Sequence, residues 1–304
     1  MSRYARQTCL AGVGPKGQAR LATARVLVVG AGGLGATLLP QLVGAGVGFI
    51  RLLDPDLIEE SNLHRQTLFR MSDLGQPKAQ IAAEALGGLN PDVTLEAHVT
   101  RLTPANLPRW SQDVDLIVDA ADSFATSYAL SDHCHQSRQP LISASVTGRQ
   151  GYVGGFCGGA PSLRAVFPDL PDVMGACSDT GVMGPVVANI SALQAQMVLA
   201  VLLGQAPSPL GQLLSVDLTN WRVNGFRFDT APEPSRSSPA ILALEQITPD
   251  DLVIDLRDTA DQAPSPEHGQ RVVFVCASGL RAWRAARAFA ETSEAHVAIV
   301  GVGT

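Results

Sequence analysis

Residues 25–35 read RVLVVGAGGLG, and this run constrains the fold more than any other part of the 304-residue chain. The stretch 25–29 is a strand-like apolar run, the glycines of 30–35 suit a tight reversal, and the residues through Val43 carry a helix-compatible pattern that stops near Gly44 and Gly46. A strand, a turn and a helix in that order place backbone N–H groups at a helix N-terminus, and glycines without side chains let a phosphate approach them. Gly30, Gly32 and Gly33 are the candidate contacts. Standing alone, the same six residues also satisfy a tight turn that needs positive φ and binds nothing.

The alternation continues beyond the turn. Residues 49–53 form the next strand and close on Asp54, 77–89 carry Ala and Leu at helical spacing, and 93–98 read as a third strand. Residues 114–119 (VDLIVD) and 140–145 are further runs of strand length, separated by a helical segment around 128–137. The order predicts an α/β fold with a doubly wound, mostly parallel Rossmann-like sheet. Residues 148–184, rich in Gly, Pro and Asp, predict a mobile loop over that sheet, and 186–203 resume as a long apolar helix interrupted by Gln194 and Gln196. The run TAPEPSRSSP at 230–239 lacks apolar periodicity and reads as a linker, dividing a main domain of 1–229 from a tail of 240–304. The tail has apolar runs at 252–256, 272–275 and 297–300 and a helical stretch at 279–291, so it reads as a small α/β appendage. About 65 residues is small for an independent core, and the tail is expected to lean on the main domain.

Apolar residues make up 46% of the chain and charged ones 16%, the composition of a folded globular protein. The 22 basic and 28 acidic residues leave a net charge of −6, which argues against nucleic acid as a partner. The N-terminal residues lack the apolar centre of a signal peptide, and no apolar run reaches about 18 residues without a polar or breaking interruption, so no membrane partner and a cytoplasmic location are expected. Cys9, Cys134, Cys157, Cys177 and Cys276 are scattered and form no CxxC pair, which fits a reducing compartment.

Charged residues gather after the turn. Asp54 ends the second strand, where an acidic residue binds ribose hydroxyls in such folds; a strand-end cap is the other reading. Asn62 and Arg65 lie three apart in DPDLIEESNLHRQ, and Lys78 follows Gly75, Gln76 and Pro77. Arg offers a planar fork of donors and Lys a compact charge, which is equipment for nucleotidyl or phosphoryl transfer rather than hydride transfer. Asp122 falls just past the strand VDLIVD, at the carboxyl edge of the sheet, where it suits Mg²⁺ or, alternatively, caps the next helix.

Taken together, RYARQ at 3–7, GAGGLG, LLDPD, SNLHRQ, GQPK, DAADSF and CSDTGVMGPVV resemble the ThiF/MoeB/HesA family, bacterial relatives of the ubiquitin-activating E1 enzymes. The resemblance implies that MgATP adenylates the C-terminal glycine carboxylate of a ubiquitin-like sulfur-carrier protein ending in Gly-Gly, with release of pyrophosphate, so that sulfur can replace AMP as a thiocarboxylate. Position by position, it implies Gly33 against the nucleotide and Asp54 on the ribose. Ser61, Asn62, Arg65 and Lys78 would then face the triphosphate, with Ser123 beside an Asp122 that holds Mg²⁺. It implies that Arg6 reaches the phosphates from a neighbouring subunit, hence a homodimer. Attack by a carboxylate on the α-phosphorus joins two anions, so catalysis is charge neutralisation and positioning and needs no protein base.

The chain departs from the family pattern at several points. After Asp122, Ser123 replaces an amide and Ser127 an arginine, a loss open to three readings: weaker ATP affinity, altered carrier binding, or an offset by Arg149 or Arg138. The two CxxC pairs of a family zinc site would fall at Ser162 and Ala165 and near Phe228, and their absence predicts a member without structural zinc. Cys177 aligns with the family's crossover-loop cysteine, which in thiazole-pathway members links covalently to the carrier; a small buried residue is the alternative. Cys9, Cys134, Cys157, His64, His133 and His135 read as ordinary core or surface residues. In the tail, CASGLR at 276–281 follows a strand and opens a helix, so N–H groups and the helix dipole would favour a Cys276 thiolate or persulfide. With VIDLRD at 253–258 it resembles a truncated rhodanese-like domain, for only 12 residues separate Asp258 from Arg271. Sulfur transfer by Cys276, fed by a cysteine desulfurase, stands against a degenerate structural appendage.

The expected function is therefore adenylation of a sulfur carrier in thiamine (thiazole) or molybdopterin synthesis, with a lean to thiamine from the missing zinc ligands and the tail. Two other readings remain open at this point. A nicotinamide-dependent oxidoreductase would use the same glycine turn, although Arg65, Lys78 and Asp122 argue against it. A non-catalytic scaffold would bind nucleotide or carrier without turnover, a reading that Ser127 keeps open.

Overall fold

The computed structural model describes residues 3–169, 181–234, 238–257, 265–277 and 279–301. Two helices, α1 (Ala5–Thr8) and α2 (Gly14–Thr23), lead into strand β1 (Arg25–Val29). Val26, Leu27 and Val28 of β1 are fully buried, which requires cover on both faces of the sheet. That cover comes from the helices of successive crossovers. After β1 the chain runs through α3 (Gly33–Ala45), β2 (Phe49–Leu53), α4 (Lys78–Gly87), β3 (Thr94–His98), α5 (Leu107–Trp110), β4 (Leu116–Asp119), α6 (Phe124–Ser137) and β5 (Pro140–Thr147). These five strands are parallel in the order β3-β2-β1-β4-β5, so the winding reverses between β1 and β4. A crevice at the carboxyl ends of the strands is expected at that switch point.

The chain continues through β6 (Gln150–Cys157), α7 (Leu163–Val166), α8 (Gly184–Leu203), β7 (Gln212–Asp217) and β8 (Arg222–Arg227). The last three strands extend the sheet antiparallel, β5-β6-β7-β8, to eight strands. The mobile loop expected over 148–184 is corrected here for its first part, while residues 170–180 lie outside the described residues. Residues 150–157 pair with β5 along their whole length, and the glycines that suggested a loop are there for close packing. A Cβ on Gly155 would lie 2.4 Å from the carbonyl oxygen of Pro209. Helix α8 carries no charged residue and is long and apolar enough to cross a membrane by length and composition, yet half of it is buried inside the fold. Val186, Val187, Ile190, Ala195 and Val198 join the core it shares with α3 and the sheet.

The tail adds β9 (Ala240–Ile241), β10 (Leu252–Asp255), β11 (Val272–Cys276), α9 (Leu280–Thr292) and β12 (Val297–Gly301), a four-stranded parallel sheet in the order β10-β11-β12-β9. It does lean on the main sheet's helices. Phe274, Cys276, Ala282 and Trp283 share one apolar cluster with Tyr128, Leu130 and Leu163. Trp283 is buried, its indole N–H donates to Asp169 at 2.8 Å, and Arg287 donates to the same carboxylate at 3.0 Å. Arg164 lies over the rings of Tyr128 and Trp283, 4.7 and 5.3 Å from their centres, and forks onto Asp132 at 2.6 and 2.8 Å. Within the segment read as a linker, Glu233 accepts from the backbone N–H and the hydroxyl of Ser162, so its start is fastened to the main unit.

Candidate active site

The glycine turn forms where β1 meets α3. Gly30 has φ 104°, and a Cβ there would lie 2.6 Å from the Ala120 carbonyl oxygen, so the turn rests directly on the chain leaving β4. Gly32 is the N-cap of α3 and offers no side chain to the helix's free N–H groups, which leaves them for an anion. Over Gly33 lies the stem of Arg65, whose Cδ and Cγ are 3.6 and 3.7 Å from the position a Cβ would take. The turn and Arg65 are thus neighbours, as the sequence predicts. Arg65 itself donates to the carbonyl of Ser61 at 3.1 Å.

Asp54 is buried at the end of β2, where it braces the turn. Its carboxylate accepts the Ala31 N–H at 2.7 Å and the Asp56 N–H at 2.8 Å. Burial raises its pKa above the usual value, while those two N–H groups and the Lys78 charge pull it back. A carboxylate has about four lone-pair sites, so two accepted bonds leave room for ribose hydroxyls. Lys78, at the start of α4, is also buried and forms a 3.0 Å ion pair with the half-exposed Asp56. Sequence reasoning did not single out Asp56 as the counter-ion; only the fold brings the two together. Asn62 is buried, its amide donating to Ser61 Oγ and accepting the Glu59 N–H.

Asp122 is exposed immediately past β4, and the helix-cap alternative for it goes instead to Ser123, whose hydroxyl accepts the Thr126 N–H. Beneath it, Asp119 is fully buried and accepts from Ser143 Oγ at 2.7 Å and from the Ala121 N–H at 3.2 Å, which fixes the turn that presents Asp122. Burial pushes the Asp119 pKa up to about 6. The Ser127 hydroxyl donates to the Ser123 carbonyl at 3.3 Å, so a short side chain turned back on its own helix stands where the family pattern has an arginine.

Arg6 does not join these groups. It is exposed on α1, which is tied by Gln7 to the carbonyl of Ala45 at the C-terminal end of α3, the end away from the glycine turn. At 1.5 Å per residue α3 spans roughly 18 Å. Cys177 lies outside the described residues. Cys276, at the end of β11, is buried, with the N–H groups of Gly279 and Ala282 donating to its Sγ at 3.1 and 3.3 Å. A Cβ on Gly279 would lie 3.1 Å from Phe124 Cζ, so this loop abuts the helix that begins two residues after Asp122. Cys134 and Cys157 are buried, and desolvation pushes the Cys157 thiol up to about 12, as suits core residues. Among the described residues no group of three or more His, Cys, Asp or Glu side chains forms a metal cage.

A doubly wound sheet whose switch point gathers a glycine turn, two cations and two carboxylates defines a nucleotide-binding enzyme that acts on phosphates. A model of the ThiF family matches residues 4–238. The chain is 35% identical over 235 residues to the SAMP-activating enzyme E1 of Haloferax volcanii, covering 77% of this chain and 87% of that protein. It is 40% identical over 225 residues to the sulfur carrier protein adenylyltransferase of Thermus thermophilus, covering 71% and 83%. Among solved structures, Escherichia coli MccB with MccA-N7isoASN shares the fold with a TM-score of 0.68 at 22% identity, over 77% of this chain and 74% of that one. The chain belongs to the ThiF family, and it is an ATP-using adenylyltransferase. The ThiF-family resemblance of the main domain and the fold class read from the sequence hold, and the oxidoreductase alternative falls away.

Proposed function

We propose that the chain adenylates the C-terminal glycine carboxylate of a ubiquitin-like sulfur carrier serving thiazole or molybdopterin synthesis in the cytoplasm. The observation that supports this most directly is that the Arg65 stem and the Asp119–Asp122 turn both lie against the glycine turn at one sheet edge. In the reaction a carboxylate oxygen bonds to the α-phosphorus, the α–β phosphoanhydride bond breaks, and pyrophosphate leaves with that electron pair. The groups of this chain supply charge and position. Arg65 and the α3 N-terminus hold phosphate oxygens, Asp54 orients the ribose, and Lys78 exchanges Asp56 for the phosphates.

An exposed carboxylate on a braced turn suits an ion that keeps water and substrate oxygens as its other ligands, so Asp122 would hold Mg²⁺, with Ser123 beside it. Bound there, Mg²⁺ would neutralise phosphate charge. Because Arg6 sits at the far end of α3 from its own turn, it serves the site of a partner subunit, and the working unit is a homodimer. Where two cysteine pairs would bridge the segments around 162 and 228, Ser162 and Glu233 are joined by hydrogen bonds instead, which supports a fold without structural zinc. For the tail, the burial of Cys276 and the docking of Trp283 support a structural appendage; equal thiosulfate:cyanide transfer by the wild type and Cys276→Ser checks this.

ATP–pyrophosphate exchange with purified carriers ending in Gly-Gly tests the main reading. Exchange that requires both a carrier and Mg²⁺ and disappears in Asp122→Ala is the expected result. Carrier-independent exchange, or full exchange in Asp122→Ala, would overturn it.

A further inference from the structure

Gln66 borders the glycine turn and closes the SNLHRQ run, yet the sequence reading gives it no role. It is 2% exposed, and its Oε1 is buried without a hydrogen-bond partner among the described residues. Its Nε2 is 3.8 Å from the position a Cβ on Gly32 would take, so the amide points at the N-cap of α3. The backbone around it is secured, since the Gln66 N–H donates to the Asn62 carbonyl and the Gln66 carbonyl accepts the Phe69 N–H. A glutamine kept for structure would have its buried amide paired, because an unmet buried acceptor is unfavourable. This one is held in place by its neighbours, with one end unmet and the other facing the place where an anion would sit.

We infer that Gln66 is a phosphate-binding residue, its carboxamide donating an N–H to a phosphate oxygen of the nucleotide seated on the turn between β1 and α3. The inference rests on the adenylation reading and deepens it by naming a contact at that site. Rotation of the amide by 180° exchanges its two ends without moving the backbone, so a donor is available in either orientation. Being neutral, Gln66 adds a hydrogen bond at the turn without drawing the Asp54 carboxylate that braces the turn onto itself, as a third cation there would.

The test compares binding of ATP, AMP and adenosine to the wild type, Gln66→Leu and Gln66→Glu by calorimetry, with the melting temperature of each unliganded protein. Loss of a hydrogen bond to a charged group predicts that Gln66→Leu binds ATP about tenfold more weakly or worse, with adenosine affinity unchanged. Its melting temperature stays at or above that of the wild type, because the orphaned acceptor is gone. Gln66→Glu places a carboxylate before the phosphates and loses more. Equal ATP affinity in the wild type and Gln66→Leu, or equal losses for ATP and adenosine, would overturn the role of Gln66 alone. Should Gln66→Leu not fold, the ATP-to-adenosine ratio of Gln66→Glu decides in the same way. A wild type that binds no ATP would instead overturn the adenylation reading, and this inference with it.

Discussion

Asp119 shows how far a residue's chemistry depends on what surrounds it. The Ser127 and Ser143 hydroxyls and the Ala121 N–H hold its pKa down, but burial outweighs them, with Asp122 adding to the rise, and the value reaches about 6 from an ordinary 3.8. An acid raised in the folded state binds more protons there than in the unfolded chain, so its stabilising contribution is present below about 3.8 and is lost as pH climbs through about 6. The full swing is on the order of 3 kcal/mol. Asp119→Asn removes this dependence: relative to the variant, the wild type should lose melting temperature between pH 5 and pH 8, measured by thermal unfolding across that range. At the turn above, Arg65→Ala and Lys78→Ala should each slow carrier adenylation by about 10²–10³-fold, as for loss of one transition-state donor, with circular dichroism unchanged. The two cations were legible in the sequence because charge near a glycine turn has few uses. Asp56 as counter-ion and Gln66 at the turn were not, since both roles depend on a spatial neighbour.

At the scale of elements, the parallel half was readable to within a few residues because each of its strands is an apolar run bounded by a turn or helix pattern. Strands β7 and β8 escaped notice. Residues 222–227, RVNGFR, are exposed throughout, and only pairing with β7 makes them a strand. The β6 glycines misled for a related reason, since a residue type common in loops is also the one that allows close backbone approach. Two substitutions separate these uses. Gly155→Ala would drive a Cβ toward the Pro209 carbonyl oxygen and should cost about 1–3 kcal/mol, whereas Gly44→Ala in α3 meets nothing within 4 Å and should stabilise by up to about 1 kcal/mol. Urea unfolding of both variants gives the signs.

For the whole molecule, the tail and the subunit partner matter most. Trp283→Ala would empty a buried site, remove the bond to Asp169 and expose Arg164, a loss of about 3–5 kcal/mol that should make the 230–239 segment open to limited proteolysis. If Arg6 acts across a dimer, mixing inactive Arg6→Ala with inactive Asp122→Ala should restore up to about a quarter of wild-type exchange by random assortment into heterodimers. No recovery in a mixture shown to exchange subunits would place Arg6 outside the reaction. Local pattern alone determined the glycine turn, the parallel strands and helices, and the basic residues of the site, because hydrophobic period, backbone freedom and charge are properties of neighbours along the chain. Tertiary structure alone decided that Asp119 is buried, that Lys78 pairs with Asp56, that Gln66 faces Gly32 and that the tail seals Cys276 against α6. Each of these depends on which surfaces meet once β1 and β4 lie side by side, and segments far apart in sequence carry no local sign of that meeting.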